Sequence, residues 1–186
     1  MKHCAILFTD IGDTIIDEGT EIRDVPGGVV KRADCLPGAR ETMLRIHEQG
    51  YTIAMVADGL VQSFHNTMTQ HGLEHIFAAK AISEAVGAEK PDARIFQSAM
   101  RQLGLTEEDK PRILMIGNNL ARDVAGANAF GIRSAFLTWS PRYRHEWHTG
   151  AETPGFVLSR PEELLPLLER FDQMLRTQNN HGSTGK

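Results

Sequence analysis

A chain of 186 residues, 41% of them hydrophobic and 24% charged, is long enough to bury one sizeable core and is most simply one globular domain. Its net charge of -4 and sequence pI of about 6.1 exclude a polyelectrolyte surface, so nucleic acid or an anionic membrane would have to be met by a local patch. Two cysteines, Cys4 and Cys35, make neither a disulfide framework nor a zinc-ligand pattern and suit a reducing compartment. The apolar run after Met1-Lys2-His3 is too short for a membrane span and unlike a secretory signal, which predicts a cytoplasmic protein.

In chain order, residues 5–9 form an apolar run of strand length that ends in Asp10. Gly12-Asp13-Thr14 follows at once, so the chain must turn where Asp10 emerges. Residues 18–34 are irregular around Val25-Pro26-Gly27-Gly28 and predict a hairpin flap turning at the glycine pair. A helix opens at Pro37-Gly38 and runs to Glu48, with Gly50 as its stop. Residues 51–57 (YTIAMVA) are a second buried strand ending at Asp58-Gly59, and residues 60–71 are helical up to Gly72. A short third strand over 78–82 precedes Gly87-Ala88-Glu89-Lys90-Pro91-Asp92 and a helix to Leu103. Residues 113–116 are the fourth strand, 120–130 a helix and 134–137 the fifth strand.

The end of the chain is less regular. Residues 139–153 form a long loop near the strand ends, with Arg142, Tyr143, Arg144, His145, Trp147 and His148 interleaved. On an acidic chain this is weak support for nucleic-acid binding, and the two histidines lack the spacing of a zinc helix. Residues 156–158 are a candidate edge strand, and residues 161–176 are amphipathic through Leu164, Leu168, Phe171 and Leu175. Residues 177–186 carry nothing to pack and are expected to be a disordered tail behind a single domain over 1–176. Alternating strands and helices predict an α/β three-layer sandwich, a parallel sheet of about five strands with helices on both faces.

In such a sheet the carboxyl ends of the strands share one edge, and ligands bind there. Asp10, Asp58, Lys90 and the set Asn118, Asn119 and Asp123 all fall at or just beyond strand ends, so groups spread over more than half the chain can converge. The segments FTDIGDTI, GYTIAMVADG, GAEKPDARIF and IGNNLARDVAGANAFGI, in that order and spacing, resemble the haloacid dehalogenase superfamily over roughly residues 5–137. Most of its members are magnesium-dependent phosphohydrolases with a Rossmann-like core.

The resemblance implies Asp10 as a nucleophile that forms an aspartyl phosphate. It also implies Mg2+ held by Asp10, the carbonyl of Gly12, and oxygen from Asn118 or Asp123. Lys90 would neutralise the phosphoryl group or hold Asp10, and the loop of Ala57, Asp58 and Gly59 would bind phosphate oxygens. Neither interval that carries a cap domain in the family is long enough for one here. An open site favours a large phosphorylated substrate, or a second copy of the chain that supplies the missing wall.

The sequence also departs from the family pattern. Gly12 stands where the family has an Asp that protonates the leaving group and then activates water, leaving Asp13 or Asp58 as substitutes. General acid-base catalysis contributes about 10²–10⁴ in rate, so activated acyl or aryl phosphates are the expected substrates. Ala57 replaces a phosphate-binding Ser or Thr, and Asn118 replaces an acidic residue, which weakens the metal site. The alternative to a slow or specialised phosphohydrolase is a phosphate-binding or phosphorylation-sensing module in which Asp10 binds or briefly accepts phosphate.

Overall fold

In the computed structural model, which describes residues 3–182, the first apolar run is strand β1 (Ile6–Thr9), buried at every position. A hairpin follows, β2 (Ile22–Arg23) antiparallel to β3 (Val30–Arg32), with Gly27 in its turn at a φ of 73°. That left-handed backbone is free of steric cost only for glycine. Helix α1 (Ala39–Glu48) leads to β4 (Thr52–Ala57), α2 (Val61–Gln70), β5 (Ala79–Ile82) and a short helix α3 (Ser83–Val86). Then come α4 (Ala93–Gln102), β6 (Ile113–Gly117), a π-helical turn (Leu120–Val124) running into α5 (Ala125–Phe130), and β7 (Arg133–Leu137). The described chain ends with β8 (Phe156–Leu158) and α6 (Leu164–Gly182).

Six strands form one parallel sheet in the order β5-β4-β1-β6-β7-β8. Alternation along the central strands divides the core into two layers. Leu7, Ile53, Met55, Leu114 and Ile116 face α1, α2 and α6 through Met43, Ile46, Met68, Leu168 and Phe171. On the other side Phe8, Ala54, Val56 and Met115 face α4 and α5 through Ile95, Phe96, Ala99 and Phe130. The chain moves outward from β1 on one side, then crosses back to β6 on the other. This switch opens a crevice beyond the carboxyl end of β1.

The candidate edge strand over residues 156–158 is formed, pairing in parallel with β7 (Ala135 with Phe156, Leu137 with Leu158), and it completes a sheet of six strands. Two other expectations need correction. The expected tail begins too early: α6 continues to Gly182, since polar residues with no glycine or proline among them until 182 keep helical backbone, and residues 183–186 lie outside the described residues. The helix expected over 120–130 opens in a wider π-helical turn. Among the described residues no helix is long and apolar enough to cross a membrane.

Candidate active site

Asp10 extends β1 by one residue, donating its backbone N–H to Ile116 O on β6 at 2.9 Å. The chain then folds sharply, with the N–H groups of Ile15 and Ile16 both on Ile11 O, at 2.8 and 2.9 Å. Asp13 takes a left-handed φ of 47° in this turn. Its fully buried carboxylate accepts from Glu18 N at 3.0 Å, Ser140 Oγ at 2.7 Å, and Arg142 Nε and Nη2 at 2.9 and 3.0 Å. Asp13 thus pins the turn after Asp10 to the loop after β7 and does not line the crevice, contrary to its expected role as a substitute acid.

Lys90 reaches the same point from the loop before α4. Its Nζ donates to Asp10 Oδ1 at 2.6 Å and to Val56 O at 3.0 Å, and lies 2.8 Å from Asp123 Oδ1. Burial acts against its charge, but Asp10, Asp123 and Asp58 outweigh it and hold the ammonium form. Burial likewise raises the Asp10 carboxyl above its ordinary range, while Lys90 draws it back. Asp58 accepts from Lys90 N at 2.9 Å and from Arg122 Nη1 at 3.5 Å, and burial raises its pKa against the pull of Lys90.

The π-helical turn places Asp123 inward, 1% exposed, where its Oδ2 accepts from Asn119 N at 2.9 Å. Gly117 is required beneath it, because a Cβ there would lie 2.2 Å from the Asp123 carboxyl carbon. Asn119 caps the turn through the N–H groups of Ala121 and Arg122, whereas Asn118 points into the crevice with its buried Nδ2 unpartnered.

These groups bound a cavity of about 240 Å³ between the strand ends, the hairpin and the start of α2. Of the residues singled out from the sequence, Asp10, Gly12, Asp58, Gly59, Lys90, Asn118 and Asp123 line it; Ala57 is fully buried behind it. Of the basic residues on the hairpin, Arg23 lines the cavity and Lys31 and Arg32 do not. Tyr143, from the loop expected near the strand ends, also lines it; sequence reasoning missed Glu18 and Arg122. The turn signal after Asp10 could have found Glu18, since a chain that reverses within a few residues brings its next side chains back over the strand end. The Glu18 carboxyl is raised by burial and by the nearby Asp13 and Glu21, and Tyr143 Oη donates to its Oε2 at 3.3 Å.

A model of the family described as haloacid dehalogenase-like hydrolase matches residues 5–131. The chain belongs to this family. A glyceraldehyde 3-phosphate phosphatase of Methanopyrus kandleri is 30% identical over 135 residues, covering 73% of this chain and 57% of that protein. A phosphoglycolate phosphatase of Aliivibrio fischeri is also 30% identical, over 132 residues, 71% of this chain and 56% of the relative. The chain therefore spans about half the length of these relatives. The solved structure of a HAD phosphatase from Thermococcus onnurineus superposes with a TM-score of 0.69 at 16% identity, covering 88% of this chain and 97% of that one, and so shares the fold.

HAD phosphatases generally use Mg2+, and the donor set of this haloacid dehalogenase-like chain is made of hard oxygens: two carboxylates, an amide and a backbone carbonyl. Asp123 Oδ1 faces only Lys90 Nζ, at 2.8 Å, and the buried Asn118 Nδ2 has no hydrogen-bond partner, so neither the outer face of that carboxylate nor the Asn118 amide is committed to another protein group where a cation and its waters would sit. Among the described residues no three acidic, His or Cys side chains are grouped to hold a metal, and the third side chain in the expected set is the amide of Asn118. The residues fit magnesium, with one negative charge fewer than a three-carboxylate site.

Proposed function

We propose that the chain is a magnesium-dependent phosphohydrolase that acts through an aspartyl phosphate on Asp10. The observation that carries this reading is the placement of Asp10 at the crevice with Lys90 Nζ at 2.6 Å, a nucleophile and a fixed positive charge side by side. The Asp10 oxygen not bonded to Lys90 attacks phosphorus, and Lys90 offsets charge on the phosphoryl oxygens while keeping the carboxylate oriented. Asp10, Asn118 and Asp123 would hold Mg2+, which when bound supplies the positive charge that lets a phosphate dianion approach a carboxylate. Arg122 and Arg23 at the cavity wall would take anionic groups of the substrate. Walled by the hairpin and Tyr143, a cavity of about 240 Å³ suits a small phosphate ester rather than the large substrate expected of an open site, in keeping with the phosphatases named among the relatives.

The test is a time course with acetyl phosphate and an aryl phosphate, with and without magnesium, followed by released phosphate and intact mass. Continuous, magnesium-dependent release that vanishes in Asp10→Asn is expected. A stoichiometric mass gain without turnover would instead establish a phosphorylation-sensing module, and the absence of both release and adduct would overturn the phosphoryl-transfer reading.

A further inference from the structure

Cleaving an unactivated phosphate ester requires a proton for the leaving oxygen, and breaking the aspartyl phosphate requires a base for water. Position 12 carries no side chain to do either. The titratable groups at the cavity differ in how far they are already committed. Lys90 is held by two carboxylates and a carbonyl. Asp58 is taken up by Lys90 N and Arg122, Asp123 by Asn119 N and Lys90, and Glu21 by Arg23. Asp13 is turned away into its own ion pair with Arg142.

Glu18 is the exception. It lines the cavity with Asp10 and forms no ion pair among the described residues. Its backbone N–H is fixed by Asp13 and its Oε2 by the Tyr143 hydroxyl, which leaves Oε1 facing the nucleophile turn. A Cβ built on Gly12 would lie 2.1 Å from that Oε1. The room a side chain at position 12 would occupy is therefore filled by a carboxylate arriving from six residues further along the chain, and glycine at 12 is what admits it.

We infer that Glu18 is the general acid and base of this site, a role that rests on the phosphohydrolase reading above. In the first step an Asp10 oxygen bonds to phosphorus, the bond from phosphorus to the ester oxygen breaks, and the Glu18 carboxylic proton passes to that oxygen to release an alcohol. In the second, water bonds to phosphorus while giving a proton to the Glu18 carboxylate. The bond from phosphorus to Asp10 breaks, and inorganic phosphate leaves with both side chains as they began. Alkyl phosphates then become substrates in spite of Gly12.

The experiment compares wild type, Glu18→Gln, Asp58→Asn and Asp10→Asn on glycerol phosphate and para-nitrophenyl phosphate, with intact mass after each reaction. Glu18→Gln is expected to lower kcat/KM for glycerol phosphate by about 10²–10⁴-fold. Its loss on the nitrophenyl ester should be much smaller, because that leaving group departs without a proton, and the phosphorylated protein should accumulate for want of a base. The pair Glu18→Ala and Glu18→Ala/Gly12→Asp adds a rescue. A double variant more active on glycerol phosphate than the single one supports a carboxylate acting in that room, and one no better counts against it. Equal losses on both esters, or the same selective pattern in Asp58→Asn, overturns the role of Glu18. If Glu18→Gln matches wild type while Asp10→Asn is dead, the hydrolase reading stands and Glu18 falls. If wild type neither turns over nor gains mass, both fall together.

Discussion

Lys90 Nζ stands between Asp10 and Asp123, and in its pair with Asp123 both side chains are only 2% exposed. Two carboxylates this close repel each other, and the surroundings screen them poorly. Removing one member of a buried ion pair destabilises by about 3–5 kcal/mol, so Lys90→Met is expected to unfold at markedly lower urea concentration as well as to lose turnover. Lys90→Met/Asp10→Asn should recover part of that loss, because one of the two facing charges is gone. Urea unfolding of wild type, both single variants and the double variant measures the coupling; a double variant as unstable as Lys90→Met would mean that Lys90 acts through packing alone. Asp13 provides the contrast at the same scale. With its carboxylate bound to Glu18 N, Ser140 and Arg142, Asp13→Asn is expected to lower Tm and, by loosening the turn that carries Asp10 and Glu18, to cost only part of the turnover. Asp10→Asn should abolish turnover whatever its effect on Tm, and thermal melts with kcat on the same samples separate the two.

At the scale of elements, the hairpin is one wall of the cavity, and its return arm is fastened to α2. Val30 N donates to Ser63 Oγ at 3.0 Å, Asn66 Nδ2 to Val30 O at 2.9 Å, and Gln70 bonds Ala33 through both its amide atoms. Each such bond contributes about 0.5–1.5 kcal/mol, so Asn66→Ala/Gln70→Ala should speed amide exchange over residues 22–33 and raise KM with little change in kcat. Unchanged exchange would show that the arm is held by the burial of Val30 and Ala33 instead. The three central strands were legible because their apolar runs end in glycine or meet a carboxylate, and that same punctuation marked Asp10 and Asp58 at strand ends and the segment of Asn118 and Asp123 just beyond Gly117. What was not legible depended on partners far along the chain. Asp13 looked free until Ser140 and Arg142 came back to it, and Glu18 looked like flap until the turn after Asp10 was seen to fold it over Gly12. Local pattern also failed at Leu120–Val124, where helical periodicity does not distinguish a π-helical turn that aims Asp123 inward.

Across the whole molecule, the central strand is fixed at its start by the last helix. Asp172 on α6 accepts from Cys4 N at 2.6 Å and Ala5 N at 2.7 Å through Oδ1, and from Arg176 Nε at 2.8 Å through Oδ2, with His3 Nδ1 at 3.2 Å. This joins residues more than 160 apart in sequence, so the clasp closes only when the sheet and its α1–α6 layer have formed together. Burial works to raise the Asp172 carboxyl, but the Ala5 N–H, Arg176, His3 and the Cys4 N–H outweigh it and hold the pKa below 3.8. A carboxyl whose pKa is lower in the folded chain binds its proton more readily when unfolded, so folding gains from Asp172 at every pH above its unfolded value. That gain is lost as pH falls through the folded value. Asp172→Ala strands two backbone donors, one of them buried, and should destabilise by about 1–3 kcal/mol near neutral pH. Measured by urea unfolding, the gap between wild type and Asp172→Ala should stay constant down to about pH 4 and then narrow as the wild-type carboxyl takes up its proton. A gap that persists unchanged into strong acid would mean that Asp172 serves the fold by shape and not by charge.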